Sequence, residues 1–234
     1  MKQIIKNIVK KVIILIAKTF RIEVFFEKTK LPAYIDIIEN KYGHKISREK
    51  GIPLNSEYKP LPWFTYPAIE YLNQLDLSGC TVFEWGSGNS SLFFAQNSKF
   101  VYSIENNKEW FEKILKYKLF NNTIELHEDL DDYVNAISKI NIKFDIIVID
   151  GRERRRCAEI SHFYLKKNGL IILDNSDRSP DIAEKFRKLG LLQVDMHGLG
   201  PINNYTWTTT FFFKGTFAVK PKNVQPVIPI GGGY

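Results

Sequence analysis

Cysteine is scarce. Cys80 and Cys157 are the two cysteines in 234 residues, too few for a disulfide framework and not at metal-ligand spacing. A reducing, cytoplasmic setting is therefore expected. No run of about 18 uncharged apolar residues occurs, which excludes a polytopic membrane protein. No internal repeat or low-complexity tract is visible. What is present is ordinary for a globular chain. Hydrophobic residues make up 44% and charged residues 25%, enough apolar surface to offset chain entropy and exclude a disordered polymer.

Charge is unevenly spread. The formal net charge is +7. Residues 1–30 hold eight Lys/Arg and two acids, so +6 belongs to them; the remaining 25 basic and 24 acidic residues nearly cancel. A nucleic-acid-binding domain spreads its basic footprint over the fold, so nucleic acid is not the expected partner. Residues 2–20 read as a helix with Ile5, Ile8, Val9, Val12, Leu15, Ile16 and Thr19 along one side, and Lys2, Lys6, Lys10, Lys11 and Lys18 over much of the other. Its longest apolar stretch, residues 12–17, is too short to span a bilayer or to serve as a signal-peptide core. Two readings stay open. The helix lies peripherally on an anionic surface such as the inner membrane face, or it packs on its own domain or on a second subunit of a homo-oligomer.

The chain divides into a basic amphipathic segment (1–30), a helix and Pro-containing loop (31–64), an alternating domain (65–216) and a tail (217–234). Pro32 and Gly43 bracket a short helix over 32–42. Residues 44–64, with Gly51, Pro53, Pro60 and Pro62, read as loop. Within the domain a helix is expected over 66–76. Short apolar runs then follow at 80–85, 100–105, 123–127, 144–150 and 169–174, separated by helix-like segments near 90–97, 107–120, 130–139, 155–166 and 180–188. Runs such as IIVID and LIILD are hydrophobic throughout, as strands buried on both faces are. Residues 191–197 and 206–214 read as an antiparallel pair. The fold class is α/β: an open, doubly wound sheet, mostly parallel, with an antiparallel C-terminal hairpin and N-terminal helices.

Ligands of open α/β sheets bind outside the carboxyl ends of the strands, and acids cluster there: Glu84, Glu105, Asp150 and Asp174, with Glu128 and Asp129 after the third strand. The first strand leads into Gly86-Ser87-Gly88-Asn89-Ser90-Ser91. Glycines there allow a tight turn and close backbone approach to a ligand, and Asn89 or Ser90 can cap the next helix. Glu105, nineteen residues after Gly86, is placed to accept both hydroxyls of a ribose. A nicotinamide dinucleotide or S-adenosylmethionine would fit. The dinucleotide fingerprint asks for a third glycine where Ser91 stands. An acid at Glu84 disfavours a pyrophosphate and suits a cationic amino group and sulfonium.

The segments FEWGSGNSS (83–91), VYSIENNKEW (101–110), FDIIVIDGRERRRC (144–157) and LIILDNSDR (170–178) resemble class I S-adenosylmethionine-dependent methyltransferases. More narrowly, the chain is similar to bacterial methyltransferase-like proteins with EWGSGNS, a DGR segment and a GLGP…TTTFFF ending. The resemblance covers about residues 60–215 and implies a Rossmann-like methyltransferase fold. It implies that Glu84, Gly86, Ser87, Gly88 and Asn89 line the methionine part and that Glu105 holds the ribose. Asn106 would lie near the adenine, Asp129 would take its amino group, and Asp150 would lie near the transferring methyl. Ser90 departs from the pattern, standing where many relatives carry a third glycine. No Asn/Asp-Pro-Pro-Tyr/Phe motif follows the fourth strand, so resemblance to amino-methylating DNA enzymes fails.

Other candidates follow from chemistry. Asp150, Asp174 and Asn175 are oxygen donors at neighbouring strand ends and could hold Mg²⁺, an arrangement similar to catechol-type O-methyltransferases. The same acids could equally serve a metal-free site. Arg152, Arg154, Arg155 and Arg156 could recognise an anionic acceptor or could form surface ion pairs; at most two should reach a ligand. His197 is the histidine best placed as a base or acceptor contact. Trp63, Tyr66, Tyr205 and Trp207 could roof a pocket or pack in the core. The expectation is an S-adenosylmethionine-dependent methyltransferase, O-directed, acting on a small-molecule or glycan acceptor. The alternatives are a non-catalytic binding module and a nicotinamide oxidoreductase.

Overall fold

The computed structural model describes residues 2–20, 22, 24, 30–217 and 219–232. From the basic segment, Met1, Arg21, Glu23, Glu27 and Lys28 lie outside the described residues, as do Ala218, Gly233 and Tyr234 of the expected tail.

Among the described residues, three helices precede the alternating domain: α1 (Lys2–Thr19), α2 (Leu31–Asp36), which continues as a wider turn over Ile37–Lys41, and α3 (His44–Lys50). The last corrects the reading of 44–64 as loop. The helix breakers that suggested a loop all fall after residue 50. Gly43 and Gly51 flank α3 with φ of +78° and +68°. At Gly43 no side chain would fit, because a Cβ would lie 2.4 Å from the Asn55 carbonyl carbon. The buried Ser47 hydroxyl donates to Leu54 O at 2.8 Å and accepts from Leu54 N at 3.0 Å, so the loop after α3 is tied back onto it.

The domain then alternates: α4 (Tyr66–Asn73), β1 (Thr81–Trp85), α5 (Asn89–Asn97), β2 (Phe100–Glu105), α6 (Lys108–Leu115), β3 (Asn122–Leu126), α7 (Leu130–Lys139), β4 (Phe144–Ile149), α8 (Arg154–Tyr164), β5 (Leu165–Asp174), α9 (Pro180–Lys188), β6 (Leu192–Gly198) and β7 (Trp207–Phe213). The strands form one sheet in the order β3-β2-β1-β4-β5-β7-β6. The first five are parallel. The expected hairpin forms, with β7 antiparallel to both β5 and β6 and seated between them. Every residue of β7 is buried, whereas none of β6 is. That matches WTTTFFF as an interior strand and LQVDMHG as an edge.

Successive side chains on a strand point to opposite faces, and each face has its own core. Val82, Val148, Ile172 and Phe211 pack with Ile69 and Leu72 of α4 and Phe94 of α5. Phe83, Ile147, Ile171 and Phe212 pack with Ile137 of α7, Ala158 of α8 and Phe186 of α9. β1 is the turning point: the chain runs from it through β2 to β3 on one side, then returns to β4 and continues outward on the other. Helices leaving in opposite directions open a crevice beyond the carboxyl ends of β1 and β4, where such sheets take ligands.

Phe212 is fully buried, while Phe120 is fully exposed. Phe212→Ala is expected to cost about 3–5 kcal/mol in urea unfolding, and Phe120→Ala less than about 0.5 kcal/mol. Equal costs would contradict this assignment of the core.

Candidate active site

Two cavities adjoin at the crevice. The smaller, about 330 Å³, is lined by Gly86, Ser87, Ser90, Glu105, Asn106, Asn107, Tyr133, Asp150, Gly151 and Arg152. The larger, about 580 Å³, has aromatic walls in Trp63, Trp110, Tyr205 and Trp207, with Asp150, Asp174, Asn175, Arg178 and Asn203 supplying polar groups. Ser87 and Asp150 line both.

The floor of the smaller cavity is a close meeting of two backbones. Gly86 has φ +99°, and a Cβ there would lie 3.1 Å from Gly151 N. A Cβ on Gly151 would lie 2.0 Å from the Tyr133 hydroxyl. Both positions need glycine because the β1 and β4 termini touch. Glu105 sits at the end of β2 and is spanned by the turn. Its Oε2 accepts from Ser87 N at 2.9 Å and Ser87 Oγ at 3.0 Å. Its Oε1 accepts from Asn106 N at 2.9 Å and Asn107 N at 2.8 Å. Trp110, from α6, donates its indole N–H to Ser87 O and contacts the Gly88 position.

Glu84 is not in either wall. It is fully buried beneath the turn, with Oε2 accepting from the hydroxyls of Ser91 and Ser103. Burial pushes its carboxyl up to about 7, against the pull of the surrounding serine hydroxyls. The expectation that Glu84 lines a ligand is corrected accordingly: it stands one residue before the end of β1 and so lies beneath the turn rather than at it. Asn89 is buried too, donating to Pro53 O and thereby fastening the loop after α3 to the glycine turn. Asp129 caps α7, accepting from Asp131 N and Asp132 N at 2.9 Å each, and lines neither cavity. Asn106 does line the smaller one and donates to Glu128 O at 3.3 Å.

The carboxylates of the larger cavity are organised by one of the four arginines that the sequence offered as acceptor contacts or surface ion pairs. Arg154, at the start of α8, turns inward and uses every N–H it has. Nε donates to Gly151 O at 3.0 Å, Nη1 to Asp174 O and, at 3.2 Å, to Asn175 Oδ1, and Nη2 to Asp150 O at 2.8 Å and Asp150 Oδ1 at 3.1 Å. The available signal was its spacing of four from Asp150 at a helix start. Burial raises the Asp150 carboxyl, Arg154 opposes that rise, and Glu84 and Glu105 add to it. Asp174 is raised well above the usual carboxylate range, by burial first and then by Asp150. Its Oδ1 accepts from Trp207 Nε1 at 3.0 Å and Thr209 Oγ1 at 2.6 Å.

This arrangement corrects the Mg²⁺ expectation. Arg154 already bonds Asp150 and the Asn175 amide oxygen, and Asp174 is turned toward Trp207 and Thr209. A cation would have to displace a guanidinium, so these residues do not fit one. Among the described residues, no other group of three His, Cys, Asp or Glu forms a metal site.

The remaining candidates divide. Arg152 lines the smaller cavity rather than the larger. Arg155 pairs with Asp181 at 2.7 Å, and Arg156 pairs with Asp131. His197 lies on the edge strand β6, 2.6 Å from Thr208 Oγ1, and lines separate grooves. The strand-end position suggested a site residue, and β6 does end at the crevice edge of the sheet, but β7 lies between it and β5, so His197 is displaced sideways from the crevice. Tyr66 is a core residue, 3.2 Å from His44 Nδ1 and stacked on Tyr42. Trp207 lines the larger cavity. Arg178 and Asn203 were missed; Arg178 ends a single 3-10 turn over Ser176–Arg178 and Asn203 lies in the loop before β7, neither with a pattern to mark it.

No protein-family model matches the chain, and no curated protein matches it. Similar solved structures include a Streptococcus mutans protein provisionally assigned as a S-adenosylmethionine-dependent methyltransferase, with 18% identity and a TM-score of 0.49. That match covers 61% of this chain and 46% of the other, so the chain spans less than half the length of that protein. A second S. mutans protein with a provisional methyltransferase assignment, solved with S-adenosylhomocysteine, shows 15% identity and a TM-score of 0.45, covering 62% and 94%. An rRNA methylase from Streptococcus thermophilus shows 16% identity and a TM-score of 0.46, covering 64% and 96%.

The Glu84 environment sets a pH dependence. With its carboxyl near 7 when folded and 4.5 ordinarily, its contribution to stability is complete below about pH 4.5 and is lost as pH rises through about 7. Glu84→Gln is expected to match the parent at about pH 4.5 and to exceed it at about pH 8, by no more than about 3 kcal/mol. Urea midpoints at the two pH values measure this, and a variant that gains nothing at the higher pH would contradict the assigned burial of charge. Separately, Mg²⁺ titrated calorimetrically into the protein is expected to show no saturable binding.

Proposed function

We propose that the protein is a S-adenosylmethionine-dependent O-methyltransferase whose donor occupies the smaller cavity and whose acceptor, a small molecule or glycan, occupies the larger. The observation that carries this reading is the shared wall: Ser87 and Asp150 border both cavities, so groups bound in the two would meet there.

The donor cavity suits a nucleoside. Gly86 and Gly151 keep side chains off its floor, and Glu105 offers a carboxylate to ribose hydroxyls, sharing the oxygen that Ser87 Oγ now uses. When bound, the donor supplies an electrophilic methyl on a cationic sulfur. Asp150 accepts the acceptor's hydroxyl proton, and its raised carboxyl suits that task near neutral pH. Arg154 holds Asp150 in position through its side-chain and backbone oxygens. Alignment supplies most of the rate in such a displacement, about 7–11 kcal/mol, and a base adds about 10²–10⁴-fold.

The acceptor cavity combines flat aromatic faces with carboxylates, amides and one arginine. That mixture suits a hydroxylated ring stacked on Trp63 or Tyr205, with Arg178 available to a uronate or phosphate group. Arg152 in the donor cavity is the one feature that would favour an anionic dinucleotide instead. Peripheral attachment to an anionic membrane through residues 2–20 is compatible with either cofactor and independent of it.

Calorimetry is expected to show binding of S-adenosylmethionine and S-adenosylhomocysteine and none of NAD or NADP. Glu105→Ala is expected to weaken donor binding by about 10- to 150-fold, as for a charged hydrogen-bond acceptor worth about 1.5–3 kcal/mol. Glu105→Gln, which keeps the turn's shape, should weaken it less. Radiolabelled methyl transfer to sugars, uronates and phenols identifies the acceptor. Binding of NADP alone would establish the oxidoreductase reading, and donor binding without turnover on any hydroxylated acceptor would establish the non-catalytic one.

A further inference from the structure

The first helix carries its apolar residues on the outside. Ile5, Ile8, Val9, Val12, Leu15 and Ile16 of α1 are each between 49% and 69% exposed. Among the helix residues whose burial is described, Lys10 and Ala17 alone are not exposed. At about 100° per residue, Lys10 and Ala17 fall together on one side of α1 and the apolar stripe falls on the opposite side. The reading that α1 packs its apolar face on its own domain is therefore not what the fold contains. A contiguous apolar surface of this kind on a folded chain marks an interaction face.

Charge selects what covers it. α1 carries five lysines and no acid. On the same helical wheel Lys6 borders one edge of the stripe, and Lys11 and Lys18 border the other. Two copies of α1 meeting through their stripes would bring these lysine edges together without an acid on either helix to pair them. An anionic lipid surface answers both features. Acyl chains take the isoleucines and leucine, and headgroups take ammonium groups that reach up from both edges. α1 cannot cross the bilayer, because no described helix is long and apolar enough to do so.

We propose that α1 is an interfacial helix that lies in the plane of an anionic membrane with Ile8, Val12 and Leu15 at its deepest line. The domain's remaining charge is close to balanced, so the helix carries the attraction. This assignment does not depend on the methyltransferase reading: it is measured without donor or acceptor.

The test is sedimentation of the full chain with vesicles of phosphatidylcholine alone or mixed with phosphatidylglycerol. The protein is expected to pellet with the mixed vesicles, to remain in solution with the neutral ones, and to be released by raised salt. Exchanging Lys6, Lys11 and Lys18 for Gln should weaken binding by about fivefold per lysine. Ile8→Ser with Leu15→Ser should abolish it while leaving far-ultraviolet circular dichroism and the thermal midpoint unchanged, because neither residue is buried. A blue shift of a fluorophore attached at position 12, absent at position 10, would support the orientation. Equal binding to neutral vesicles, or no binding with a concentration-dependent dimer that the serine pair dissociates, would overturn the proposal, the second outcome in favour of a partner copy.

Discussion

One guanidinium holds the candidate site together. The five N–H groups of Arg154 all find oxygens, and those oxygens belong to the ends of β4 and β5 and to the turns that leave them. A planar fork with five fixed donors can do this and an ammonium cannot. The consequence is that two carboxyl-bearing strand ends stay adjacent although burial raises both Asp150 and Asp174, and Asp150 raises Asp174 further. Arg154 holds the Asp150 carboxyl at the wall between the two cavities and occupies the place where a metal would sit beside it.

The architecture was legible because its signals are local. Strands such as FDIIVI and LIILD are buried on both faces, and burial of that kind demands uninterrupted hydrophobicity. Glu105 and Asp150 were legible as crevice-lining residues because the carboxyl edge of a parallel sheet is where side chains can leave the core. Errors arose where placement mattered. Glu84 stands one residue inside the end of β1 whereas Glu105 closes β2, so one lies under the turn and the other reaches it, and where each carboxylate settles depends on the donors that receive it. Ser91 and Ser103 do so for Glu84. His197 stands at the same sheet edge as the acids, but β7 lies between its strand and β5 and carries it sideways to other grooves. Tyr66 and α3 were hidden because their partners, His44 and Leu54, are brought to them by tertiary contacts.

Charge is partitioned by function rather than averaged. The acids and arginines of the sheet edge neutralise one another in short-range pairs such as Arg154–Asp150 and Arg155–Asp181. The lysines of α1 have no acid on their own helix. A chain that was basic for solubility alone would not confine the excess to one helix or place an apolar stripe beside it.

The seating of β7 between β5 and β6 governs when the molecule becomes competent. A ribosome releases β6 before β7, yet β6 pairs only with β7, so the edge strand has nothing to join until the chain beyond residue 213 has emerged. Trp207 and Thr209, which hold Asp174, arrive on that same late strand, and Phe211 and Phe212 close the two cores with it. Non-local closure of this sort is slow. The nascent protein therefore passes through a stage in which five parallel strands are in place with one raw edge, a natural point of engagement for chaperones and of vulnerability to aggregation.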